Sequence, residues 1–179
     1  MEKDLLAGTL TGDWLLNLAK AYSLVERVDE VFPLVERAYR EIPGLSDQYA
    51  RFAWIHFWPS QEYGTLIKWM EKDCEMGRMT PGWLLKLALA YTGNNQFDKA
   101  KAIVYKAYEM DSSLKDGHIQ CAWQVFGTTW PRKAFIKILP WMEKDLYSGR
   151  ISSSGYLRLS HAYAAIGAFD KAMEMIDRA

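Results

Sequence analysis

Three histidines and two cysteines are the side chains of this chain best suited to nucleophilic or metal chemistry, and their spacing argues against both. His56, His118 and His161 lie far apart, each within a helical pattern of packing residues, so structural roles suit them. Cys74 and Cys121 share no Cys-x-x-Cys or Cys/His spacing, which favours buried free thiols in a reducing compartment over a zinc site or disulfide framework. Paired carboxylates could do acid–base work, and Glu71 with Asp73 and Glu143 with Asp145 are candidates. Residues two apart on a helix face different directions, however, so these pairs are expected on a solvated helix face. No phosphate loop, Gly-x-Gly-x-x-Gly, His-Glu-x-x-His, Gly-x-Ser-x-Gly or calcium-loop pattern occurs. The expectation is a protein that is not an enzyme and takes no cofactor and no metal.

Composition narrows the class of partner. Lys plus Arg equals Asp plus Glu at 22 each, so no overall field favours RNA or DNA. At 179 residues and 50% apolar, the chain is long enough for one domain with a sizeable core, spanning residues 1–179. No basic segment followed by an apolar core opens it, and its most apolar stretch, Trp83 to Tyr91, is short and contains Lys86. Neither a signal peptide nor a membrane span is expected, and the predicted location is cytoplasmic.

The elements that must position these residues are set by a repeat. Met-Glu-Lys-Asp begins at Met1, Met70 and Met142. Tyr22 and Tyr91 are 69 apart, and Tyr91 and Tyr163 are 72 apart. Phe57 and Phe126 keep the shorter spacing while Trp58 and Trp130 keep the longer one, so Gly127, Thr128 and Thr129 form an insertion, expected in a loop between helices. Apolar residues recur at three and four, as in Leu15, Leu18, Ala19, Tyr22, which predicts amphipathic helices and no strand. Breaks are expected at Gly8 to Asp13, Pro43 to Asp47, Pro59 to Tyr63, Gly77 to Gly82, Thr92 to Gln96, Ser112 to Gly117, Gly127 to Pro131, Gly149 to Gly155 and Ile166 to Ala168. Pro33 falls near the start of its helix, whereas Pro140 predicts a kink or break.

Within each period a unit of about 34 residues resembles the tetratricopeptide repeat. Leu87, Ala88, Ala90, Tyr91, Phe97, Ala100 and Ala107 occupy its packing positions, as do Leu18, Ala19, Ala21, Tyr22, Val28 and Ala38 before them and Leu159, Ser160, Ala162, Tyr163, Phe169 and Ala172 after them. The resemblance implies an all-α fold, a right-handed α-solenoid of antiparallel helix pairs with about five such units and ten helices. Two divergent units, around Asp47 to Arg78 and Asp116 to Arg150, carry Trp54 and Trp123 in place of small side chains, so the period is a doublet.

Met-Glu-Lys-Asp, the later Gly and the Phe-Asp-Lys-Ala segment are also similar to the pentatricopeptide repeat, an RNA-reading cousin. There the base-selecting position of the first helix is usually a small polar residue. Here it holds Leu16, Ala50, Leu85, Ile119 and Leu157, which offer nothing to a base edge.

What the tetratricopeptide resemblance implies about the inner surface follows from its groove positions. They give Leu16, Ala50, Leu85, Ile119 and Leu157, then Lys20, Trp54, Leu89, Trp123 and His161, then Phe57 and Phe126. Such a groove is apolar and aromatic and suits a helix or extended peptide of a protein partner, and the Lys/Asn clamp for a terminal carboxylate is incomplete despite Asn17 and Lys20. Trp54 and Trp123 fill the interior in the alternative reading.

The tryptophans pair by repeat, Trp14 with Trp83, Trp54 with Trp123, Trp58 with Trp130 and Trp69 with Trp141, which favours packing over a single catalytic centre. Trp69 and Trp141 are expected in the core, and Trp58-Pro59 and Trp130-Pro131 at helix ends. The ends lack polar cap helices, which implies a piece of a longer array or self-association through Phe169, Ala172, Met173, Met175 and Ile176.

The expected function is therefore a non-catalytic helical-repeat scaffold for protein–protein interaction. Single-stranded RNA binding, in an organelle matrix, is the second reading, and a regulatory segment of a larger enzyme the third.

Overall fold

The computed structural model describes residues 3, 5, 8, 10–126 and 132–179, leaving aside the side chains of 125, 126 and 132–134. The first Met-Glu-Lys-Asp copy at Met1, the insertion at Gly127 to Thr129, Trp130 and the Phe126 side chain lie outside the described residues.

The described residues form helices and no strand. In chain order they are α1 (Gly12–Leu24), α2 (Val28–Glu41), α3 (Gln48–Phe57), α4 (Tyr63–Glu75), α5 (Pro81–Gly93), α6 (Phe97–Met110), α7 (Gly117–Phe126), α8 (Arg132–Tyr147), α9 (Ser153–Ile166) and α10 (Phe169–Asp177). Ten helices among the described residues pack in sequential pairs, α1 on α2, α9 on α10 and α3 on α4 being the most extensive. No described helix is long and apolar enough to cross a membrane.

Packing gathers into two compact units, Met1–Trp83 and Leu84–Ala179. In the first, Leu15, Leu18 and Ala19 of α1 are buried with Val31, Val35 and Ala38 of α2, and α3 and α4 add Ala50, Ala53, Leu66 and Met70. In the second, Leu84, Leu87 and Ala88 of α5 are buried along with Ala100, Val104 and Ala107 of α6. Ile119, Ala122, Phe135, Met142, Leu159 and Ala162 extend that core through α7, α8 and α9. Alanines at these crossings let helix axes approach closely, which is what the repeat's small positions require.

Two expectations need amendment. Val25 to Arg27 separates α1 from α2, although no Gly or Pro stands there. Glu26 makes the turn with φ of 60° at the position where Asn95 (59°) and Gly167 (85°) make it in the later repeats. The expected breaks do not include this one, which only the repeat register could have indicated. Pro140 neither breaks α8 nor ends it, the helix running on to Tyr147. Pro140 is exposed, so the carbonyl that loses its helical partner can hydrogen-bond water.

Candidate functional site: a duplicated buried carboxylate and an aromatic cavity

The Asp of the second and third Met-Glu-Lys-Asp copies is a buried anchor. Asp73 and Asp145 are 0% exposed, which corrects the expected solvated face. Spacing of two placed Glu and Asp on different sides of the helix, but it could not say that the Asp side meets the start of another helix. A helix N-terminus leaves its first N–H groups without internal partners and carries partial positive charge, so a carboxylate brought there from elsewhere satisfies both.

In the first unit, Ala50 N–H of α3 donates to Asp73 Oδ2 at 2.8 Å. The Tyr39 hydroxyl accepts from Gln48 N–H at 2.7 Å and itself donates to Asp73 Oδ1. The residue preceding α3, Asp47, makes no cap of its own. It reaches instead to Thr80, whose N–H donates to Asp47 Oδ1 at 2.7 Å just before α5 begins. Arg78 closes the group, its guanidinium 4.7 Å from the Tyr39 ring centroid and its carbonyl accepting from Asp47 N–H at 3.1 Å.

The second unit repeats this arrangement one period later. Ile119 N–H donates to Asp145 Oδ2 at 2.9 Å, Tyr108 donates to Oδ1 at 2.7 Å, and Gly117 N–H donates to the Tyr108 hydroxyl at 2.7 Å. Asp116 accepts from Ser152 N–H at 2.9 Å and from the Ser152 hydroxyl before α9. Arg150 stands 4.5 Å from the Tyr108 centroid. Burial and the hydrogen bond to its Asp hold each of the two phenols, Tyr39 and Tyr108, neutral well above the usual tyrosine range. Burial likewise pushes the Asp73 carboxyl up to about 6.

Among the positions where the copies differ, Tyr49 in the first becomes His118 in the second. Phe32, Tyr49 and Trp69 form a stack in the first unit, with Phe32 and Trp69 centroids 3.6 Å apart and Tyr49 and Trp69 centroids 5.7 Å apart. Lys72 caps that stack at 4.2 Å from the Trp69 centroid. In the second unit His118, 2% exposed, donates Nδ1–H to Asp145 Oδ1 at 2.8 Å, and its buried Nε2 has no partner. Lys144, the counterpart of Lys72, donates to the Tyr105 hydroxyl at 2.7 Å. A cavity of about 600 Å³ opens among Tyr105, Tyr108, His118, Lys144, Tyr147 and Arg150.

The residues expected in a groove are distributed as follows. In the first unit, Trp54 is half-buried and stacks on Trp58 with centroids 4.0 Å apart, while the Trp83 ring meets it edge-on at 6.3 Å. Leu16 is half-buried and Lys20 exposed. Phe57 turns toward Phe32 and Trp69 and lines another cavity with them. In the second unit, Trp123 is half-buried, flanked by His161 at 5.8 Å and the Arg158 guanidinium at 5.8 Å. Leu157 is 53% exposed, and Leu85 and Leu89 are half-buried. Ala50 and Ile119 are 0% exposed and present no surface.

Trp141 is 8% exposed, as a core role requires, whereas Trp69 is half-buried. His56 bonds Ser23 Oγ at 2.8 Å, and burial holds its ring below the usual histidine range. Neither cysteine is in a disulfide, and burial pushes the Cys121 thiol up to about 12, which leaves it unreactive at neutral pH. No described group of three or more His, Cys, Asp or Glu could hold a metal. Among known proteins, the chain matches no family model and no curated sequence.

Sequence reasoning missed the Tyr/Asp anchors and the cavity. One signal was present. Tyr39 and Tyr108 share the period of the Trp pairs, and so do Asp47 and Asp116.

Proposed function

We propose that this chain is a non-catalytic helical-repeat scaffold of tetratricopeptide type, its helix pairs continuing as a right-handed α-solenoid that binds a protein partner through aromatic side chains. The observation that carries this reading is Trp54, which stays half-buried although it stacks on Trp58, at the position where the second unit keeps Trp123 half-buried. Large rings retained at a partly open surface, in equivalent places, are the type of side chain that anchors peptides in grooves. Both Asp anchors are buried and each accepts from a helix-start N–H and a tyrosine hydroxyl, which supports a structural role for them.

The test is affinity capture with the full chain against Trp54→Ala, Trp58→Ala and Trp123→Ala, each checked for native helicity. Partners retained by the parent and lost by a folded variant support the reading. Identical capture by all four proteins overturns it. A salt-titrated filter assay with single-stranded RNA separates the pentatricopeptide alternative, which the aliphatic Leu16, Leu85 and Leu157 disfavour.

Self-association is a second mode of partner binding, supported by Phe169 at 68%, Met173 at 57% and Ile176 at 49% exposed on α10. Light scattering of Met173→Glu against the parent tests it: dimers in the parent alone support it, and monomers in both at every concentration refute it.

A further inference from the structure

The cavity in the second unit is unlike a packing defect. Its walls are the rings of Tyr105, Tyr108, Tyr147 and His118, with the Tyr105 and His118 centroids 5.1 Å apart and their planes at 66°. Lys144 and Arg150 bring two cations to it, and Glu109 is the carboxylate among its lining residues. His118 is among its lining residues, and its buried Nε2 has no partner. A buried polar atom without a partner is costly, and few are kept in folded proteins. The first unit shows that the fold does not need one, since Tyr49 occupies the same place within an aromatic stack.

We propose that this cavity binds a small aryl phosphate. Lys144 uses one of its three N–H donors on Tyr105, and Arg150 uses one of five on the Ser112 carbonyl at 2.9 Å, so both retain donors for phosphate oxygens. The tyrosine rings supply faces for the aryl group. His118, its Nδ1–H committed to Asp145, adds its ring to the lining, so an anion held by Lys144 and Arg150 is read in its imidazole signals. Selectivity for the second unit follows from the counterparts in the first. Glu36 and Glu75 stand where Tyr105 and Tyr147 stand, so the first unit lacks two of the rings that would face the aryl group, although Arg40 stands there where the second unit has Glu109. This site is independent of the scaffold reading and of the Trp54 and Trp123 surfaces.

The experiment is NMR titration of the full chain, labelled at histidine, with phenyl phosphate. A saturable shift of the His118 imidazole signals, with inorganic phosphate and phenol each weaker by about ten-fold or more, is the expected result. Lys144→Met should weaken phenyl phosphate about ten-fold, and His118→Tyr, which installs the first unit's residue, should abolish the interaction. A short phosphotyrosine peptide that binds tighter than phenyl phosphate would assign the aryl phosphate to a protein side chain, and a weaker one to a free small molecule. No saturable His118 shift at millimolar phenyl phosphate overturns the proposal, as does equal affinity for inorganic phosphate. The titration of the parent protein decides the matter even if His118→Tyr does not fold.

Discussion

The first unit sets an aromatic stack beside its buried carboxylate, whereas the second sets a histidine and a cation-bearing cavity beside an equally buried one. Phe32, Tyr49 and Trp69 stack over Asp73, while Lys101, His118 and Trp141 occupy the equivalent places beside Asp145. The Tyr hydroxyl, the Asp carboxylate, the two helix N–H groups and the Arg over the Tyr ring are common to both. What is shared holds helix starts in place. What differs is the choice between hydrophobic closure and a polar, cation-bearing recess. The comparison teaches that the repeat conserves its backbone anchors geometrically and leaves the surrounding side chains free to serve other ends.

The largest effect should come from removing an anchor. Asp145→Ala leaves Tyr108, His118 Nδ1 and Ile119 N–H without their acceptor, and a loss of about 3–5 kcal/mol in urea unfolding is expected. Asp73→Ala, which strands the Tyr39 hydroxyl and Ala50 N–H but no histidine, should cost less, about 2–4 kcal/mol. Equal losses, or losses below 1 kcal/mol as for an exposed pair, would break the comparison.

Removing only the phenol hydroxyl comes next. Tyr39→Phe and Tyr108→Phe each take one hydrogen bond from the carboxylate and leave one helix N–H unpartnered, costing about 1–3 kcal/mol apiece. Similar values for the two would show that the common part of the anchor is energetically common.

The third effect is pH dependence. Burial raises Asp73 from 3.8 to about 6, so the native state binds this proton more tightly than the unfolded chain does. Its contribution is complete below about pH 4 and is lost as pH rises through 6, a fall of about 3 kcal/mol. Asp73→Asn should flatten the stability profile between those limits. An unchanged slope in that variant would show that the titration belongs to another group.

The smallest effect sits in the turns. Glu26 adopts φ of 60° where Gly167 adopts 85°, so Glu26→Gly should be neutral or gain about 0.5 kcal/mol, and Gly167→Ala should lose about 1 kcal/mol by thermal unfolding. A large loss in Glu26→Gly would mean that the repeat register misplaces this turn.

Much of the fold was legible because helix periodicity and repeat register reinforce each other. Leu15, Leu18, Ala19 and Tyr22 announced a buried stripe, and that stripe is buried. The break at Val25 to Arg27 was readable only by alignment with Asn95 and Gly167, since Glu carries no turn signal of its own. Asp73 and Asp145 were misjudged for a physical reason. A carboxylate on a helix is ordinarily solvated, and its burial depends on a neighbouring helix start that donates N–H groups, which no local spacing reveals. His118 was read as structural on its own pattern, and the cavity beside it arises from side chains of three different helices.

Sequence alone determined that the chain is helical, where nearly every helix begins and ends, and that its pattern runs with a doublet period, because these follow from local periodicity and repetition. Tertiary packing alone decided which polar groups are buried and which aromatic rings close over them. Those outcomes depend on which helix start each side chain meets, and no single helix contains that information.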